Sequence, residues 1–90
     1  SKESIDELIA SVDSALDGAI SRLRKEYPAL TESDMQFAIL SIIGASDSDM
    51  GILLNVQKQT IYHRRQIVRK HIDPAIEDID AWLRAYVLRT

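Results

Sequence analysis

The chain has no cysteine. That excludes a disulfide framework, a thiolate nucleophile and a zinc site built on sulfur. It accords with a reducing compartment, so a cytoplasmic location is expected. Glycine and proline are scarce, three and two among 90 residues, which points to few turns and long helices. No apolar run approaches the roughly 20 residues of a membrane-spanning helix, and no signal peptide is expected. No membrane contact is therefore expected. The length allows one small domain. A chain this short buries only about two thirds of its unfolded surface, which leaves little core for a large enzyme cleft. There is no Ser-His-Asp spacing and no Gly-rich phosphate loop, and the serines sit where caps or surface are expected. No enzymatic activity and no cofactor are expected. His63 and His71 stand eight residues apart with no cysteine or carboxylate cluster beside them, so no metal site is expected.

One further absence is local. The stretch VQKQTIYHRRQIVRKH, residues 56–71, contains no acidic residue, yet it holds five Lys and Arg and both histidines. The chain as a whole carries net charge −3. Residues 1–54 hold four basic against ten acidic side chains, and residues 73–90 hold two against four. A basic block inside an acidic chain fits a surface for a polyanion, or a helix face that pairs with acids elsewhere.

The apolar pattern is helical throughout. Ile5, Ile9, Val12, Leu16, Ala19 and Leu23 follow spacings of 4, 3, 4, 3 and 4, a heptad-like seam that predicts one helix over 4–25. Leu8, Ala15 and Ile20 widen the stripe, Gly18 weakens it, and Pro28 ends the segment. Thr31 with Asp34 has the form of a helix cap for a helix over 32–43, and Gly44 is a natural stop. Ser46 with Asp49 repeats the pattern, with Asp47 and Asp49 suited to the positive end of a short helix. Met50, Leu53 and Leu54 of that helix are expected to face inward. Asn55 suits a left-handed turn. A third helix follows with Ile61, Val68 and Ile72 inward. Asp73-Pro74 reads as the start of a last helix carrying Ile76, Ile79, Leu83, Tyr86 and Val87. The sum is five helices and no strand.

A short helix, a turn of about three residues and a longer basic helix make a helix-turn-helix, whose second helix is the one that enters the DNA major groove. The outer side of that helix carries Lys58 or Gln59, then Tyr62, His63, Gln66, Arg69 and Lys70. Glutamine can make paired contacts to adenine, and Arg and Lys neutralise phosphate.

Residues 30–72, LTESDMQFAILSIIGASDSDMGILLNVQKQTIYHRRQIVRKHI, resemble the LuxR-type (GerE-like) helix-turn-helix of bacterial transcription regulators. Leu30, Thr31, Glu32 and Asp34 match its opening Leu-Thr and acidic first turn. Gly44 and Ser46 match the Gly-x-Ser that leads into its scaffold helix, and Asp49-Met50-Gly51 resembles the scaffold motif. Leu54-Asn55-Val56 resembles the turn. Thr60-Ile61 resembles the Thr-Val that opens the recognition helix, and Val68-Arg69-Lys70 with Ile72 resembles its close. The match runs without gaps over about half the chain. Tyr27-Pro28-Ala29-Leu30 is similar to a bacterial subgroup in which this domain ends a longer sensor protein. Four positions depart from the pattern: Gln57 replaces a capping Ser, Gly51 replaces Ala, Arg65 stands where Leu is usual, and Ile42 is apolar where polar residues are common. Arg65, on the inner side, needs a partner, and Glu32 or Asp34 is expected.

The resemblance implies that Thr60 bonds a phosphate, that Tyr62, His63 and Gln66 face base edges, and that Arg69 and Lys70 hold the backbone. Lys58 and Gln59 could reach either. The expected architecture is all-α: a small helical bundle containing a helix-turn-helix over 28–90, preceded by an amphipathic, coiled-coil-like linker helix over 1–27. The expected partner is double-stranded DNA, bound as a homodimer formed through the first or last helix, with a possible RNA polymerase contact. The serine start suggests a piece of a longer chain with a sensor upstream. Reuse of the helix pair to bind a protein, or a sigma-factor-like promoter domain, are the alternatives.

Overall fold

The computed structural model describes residues 2–89. Among them are six helices and no strand: α1 (Lys2–Ala15), α2 (Ala19–Glu26), α3 (Glu32–Ile42), α4 (Asp47–Leu54), α5 (Lys58–Ile72) and α6 (Ile79–Leu88). The fold is an all-α bundle containing a helix-turn-helix, α4 and α5, as the sequence leads one to expect.

Local signals place most of the boundaries. Thr31 and Asp34 form a complete capping box at the start of α3, with Asp34 N donating to Thr31 Oγ1 and Thr31 N donating to Asp34 Oδ2. Ser46 Oγ accepts from Asp49 N at the start of α4. Asn55 ends α4 in the left-handed conformation, φ 57° and ψ 48°.

Two boundaries differ from expectation. The seam over 4–25 is not one helix. Asp17 (φ 54°) and Gly18 (φ 79°) both turn left-handed and split it into α1 and α2. The last helix begins at Ile79 and not at Pro74. Asp73 instead closes α5 and accepts from Ala75 N in a local turn, while Asp78 accepts from Ala81 N as the true cap. Asp80, in the first turn of α6, then lies at the positive end of that helix.

The core is built from α2, α3 and α6 around Phe37, with contributions from both helices of the helix-turn-helix. Ile20, Leu23, Met35, Phe37, Ile39, Leu40, Met50, Ile61, Val68, Ile79 and Leu83 are almost wholly buried. Ile20 and Leu23 belong to the same hydrophobic cluster as Ile61 and Val68, so residues from the 1–27 segment pack into the body of the domain. Tyr27, Trp82 and Tyr86 form an aromatic cluster between the end of α2 and α6, with the Trp82 and Tyr86 rings stacked at 5.3 Å. Leu83 and Tyr86 are thereby covered within the chain.

Candidate nucleic-acid interface

The α4–α5 corner is closed by two backbone features. Val56 N donates to the Gly51 carbonyl at 2.9 Å, and the left-handed Asn55 lets the chain reverse there. A Cβ on Gly51 would lie 2.8 Å from the Val56 carbonyl oxygen. The backbone thus passes directly over residue 51, and only glycine fits without a shift. Met50 is buried beneath, but Leu53, expected to face inward, is 51% exposed, and Leu54 is half-buried. An eight-residue helix lying over a corner buries one narrow side, and that side is spent on Met50 and Gly51.

Helix α5 starts without a side-chain cap, since Gln57 makes no capping bond. Its inner line is Ile61 and Val68, with Ile72 half-buried below. On either side of that line sit charged residues with intramolecular partners. Arg64 donates to Asp34 Oδ1 at 3.1 Å, and His71 Nδ1 lies 2.6 Å from Asp34 Oδ2. Asp34 is 0% exposed. Burial alone would raise its pKa, but the Thr31 amide, His71 and Arg64 outweigh burial and hold the carboxyl below its ordinary range.

Arg65 lies on the opposite flank. It grips Asp47 with two nitrogens, at 2.6 and 3.1 Å, and donates Nε to Asp80 at 2.8 Å. Asp80 also accepts from Ser41 Oγ, and the guanidinium lies 5.2 Å from the centre of the Phe37 ring. Residues 64 and 65 point about 100° apart around a helix. This is why Arg64, and not Arg65, meets Asp34. The expected partners of Arg65, Glu32 or Asp34, are therefore replaced by Asp47 and Asp80, while Glu32 pairs with Arg24. The Arg65 grip lowers the pKa of Asp47, and the two carboxylates raise that of Arg65.

The outer side of α5 is different. Gln59, His63, Gln66 and Lys70 recur at spacings of 4, 3 and 4, which is one line along a helix. Gln59, His63 and Lys70 are exposed, as are Lys58, Thr60 and Tyr62 on the neighbouring lines. Tyr62 and His63 rings meet edge to face at 5.9 Å. Gln66 and Arg69 are half-buried and bonded to each other: Gln66 Oε1 accepts from Arg69 Nε at 3.1 Å. Arg69 also donates to the Pro74 carbonyl, which folds its side chain back over the α5–α6 loop.

The structure thus places all eight sequence-named residues, Lys58, Gln59, Thr60, Tyr62, His63, Gln66, Arg69 and Lys70, on α5 away from its buried line. It divides them into six that are exposed and two that are half-buried and engaged with each other or the loop. It also assigns Arg64, Arg65 and His71 of the basic run to carboxylates of the same chain. The sequence shows the need of Arg65, and its acids Asp73, Glu77, Asp78 and Asp80 read as a complement to the basic helix or as solvated surface. Of these Asp80 meets Arg65, while Asp47, read only as an acid suited to a helix start, was missed as its partner.

A second feature escaped the sequence. Ile52, 77% exposed, Leu53 and Val56 leave three apolar side chains exposed at the end of α4 and in the turn. Among the described residues no group of three or more His, Asp or Glu could hold a metal ion, and no helix is long and apolar enough to cross a membrane. Compared with known proteins, the chain matches no family model, no curated protein and no solved structure.

Proposed function

We propose that this chain binds duplex DNA by laying the outer side of α5 in the major groove, as the output domain of a bacterial transcription regulator of the LuxR type. The observation that carries the reading is the tight α4–α5 corner, with Gly51 under the Val56 carbonyl, joined to an α5 surface line free of acids. Helix-turn-helix proteins use this pair of elements to place the second helix against base edges. The uncapped start of α5 offers backbone N–H groups of the kind that bind phosphate, with exposed Thr60 and Lys58 beside them. His63, Gln59 and Gln66 are the base-facing candidates, and Lys70 is a phosphate contact. Arg69 reaches DNA only by leaving the Pro74 carbonyl. The family assignment rests on the sequence motifs of residues 30–72 alone.

Two copies would read two half-sites. Leu83 and Tyr86 are buried in their own chain, so pairing falls to the half-exposed stripe of α1 or to exposed Leu88.

A second reading has one observation behind it. Exposed Ile52, Leu53 and Val56 offer nothing to a phosphate and suit an apolar protein surface, such as one on RNA polymerase. Salt separates the two. Fluorescence anisotropy on random labelled duplex at several salt concentrations is the test. DNA binding through Lys58, Lys70 and the start of α5 predicts a linear fall of log affinity with log salt, with a slope of about −2 to −3. A protein-only module gives no duplex binding even at low salt.

A further inference from the structure

We propose that the α1–α2 junction is a two-state hinge. The bent form, with α1 strapped over α3, exchanges with one continuous helix over residues 2–26 that lifts α1 away. This stands independently of the DNA reading.

Four observations carry it. The apolar stripe Ile5, Ile9, Val12, Leu16, Ala19 and Leu23 crosses the junction without a change of phase, so the sequence is written for a helix that does not stop. Yet the chain turns left-handed at two successive residues, and one of them, Asp17 at φ 54°, is not glycine. A side chain there is disfavoured, less so for Asp than for most residues, so the bent form carries a small local cost.

The bend is held by a removable clasp. Asp13 Oδ1 accepts from Ile20 N at 2.9 Å and from Ser21 N at 3.0 Å, and its Oδ2 accepts from Ser21 Oγ at 2.5 Å. These amides would find carbonyls four residues back in a straight helix, so both states satisfy them. Finally, α1 is held less completely than α2. Ala19 and Leu23 of α2 are 0% exposed, whereas Leu8, Ile9, Val12 and Leu16 of α1 pack at the edge of the core and each stays partly exposed. Straightening therefore leaves α2 in the core and releases α1 alone.

The absence of cysteine makes the test direct. Spin labels at Glu7→Cys and Lys25→Cys, both exposed positions, report the separation of the two arms in the whole chain. A continuous helix sets their backbones about 27 Å apart, and any bend shortens this. Adding Asp13→Ala and Gly18→Ala removes the clasp and penalises the left-handed turn. The bent-to-straight ratio should then fall by about a hundredfold. The expected result is a growing population near the straight-helix distance in a protein whose helical circular dichroism is kept. A folded variant that retains a single short distance would overturn the proposal. Should the double variant unfold, Gly18→Ala alone is read in the same way, and its unfolding without a straight, folded state would overturn the proposal too.

Discussion

Arg65 and Lys70 carry the same charge on the same helix, five residues apart, and the fold uses them in opposite ways. Arg65 is clamped between Asp47 and Asp80 over the Phe37 ring, joining α3, α4, α5 and α6 at one point. Lys70 stands in solvent. The same contrast separates Arg64 and His71, both held by Asp34, from Gln59 and His63. A basic run in a sequence is therefore not a basic surface. Part of this one fixes where α5 lies, and the remainder is exposed on the outer side of α5.

That division can be broken from the inner flank first. Asp34→Ala should have the largest effect, since it strands Arg64 and His71 and opens the cap of α3. Asp34 is buried, and losing it costs the capping box together with two charge-assisted bonds to partly exposed partners, about 2–3 kcal/mol in all. In a domain of this size the melting temperature should drop by more than about 10 °C in a circular-dichroism melt. Gly51→Ala should come next, at about 1–3 kcal/mol, because the new Cβ presses on a backbone carbonyl that cannot swing away. The LuxR-type pattern has alanine here, so an unchanged melting temperature would mean that the corner relaxes easily. Arg65→Met keeps the stem against Phe37 and loses the clamp. Asp47 and Asp80 are partly exposed and regain water, and no capping box is lost, so the cost is smaller, about 1–2 kcal/mol.

Acid should dissolve the same flank. Burial works against charged Asp34, but its amide, His71 and Arg64 partners win, and the Arg65 grip likewise lowers Asp47. Carboxyls with folded-state pKa values below their unfolded ones stabilise the fold above the ordinary carboxylate range. That stability is lost as pH falls through the folded values. Urea midpoints should therefore be flat from about pH 7 to 5 and decline below about pH 4. Arg65→Met should flatten the part of the decline that belongs to Asp47. At the alkaline end, burial and the hydrogen bond to Glu26 push Tyr86 up to about 12. Its contribution is complete below the ordinary tyrosine value near 10 and fades as pH rises from there.

The two flanks also differ in how far the sequence disclosed them. The caps at Thr31 and Ser46, the turn at Asn55 and the inner line of Ile61 and Val68 were legible because each is a local pattern within one helical turn. So was the outer line of α5, which follows from period alone. The clamp was not. Arg65 advertised a need for a partner, but which acid lies opposite depends on how α4 and α6 cross α5. The break at Asp17 and Gly18 was hidden for the same reason. The clasp on α2 comes from Asp13, seven and eight residues upstream, while the apolar stripe argues for continuity. The smallness of α4's buried side, which leaves Leu53 outside, is likewise a property of the corner and not of its sequence.

The most direct test of the central claim is the affinity of Gln59→Glu/Lys70→Glu for random duplex DNA, measured beside its melting temperature. Both side chains are exposed and neither lies on the clamped flank, so stability should move by no more than about 0.5 kcal/mol. DNA affinity should fall steeply, and the salt slope of any residual binding should shrink by about one unit or more. A variant that binds duplex DNA as the parent does, with the parent's salt slope, would contradict the assignment of the outer side of α5 as the DNA-reading surface.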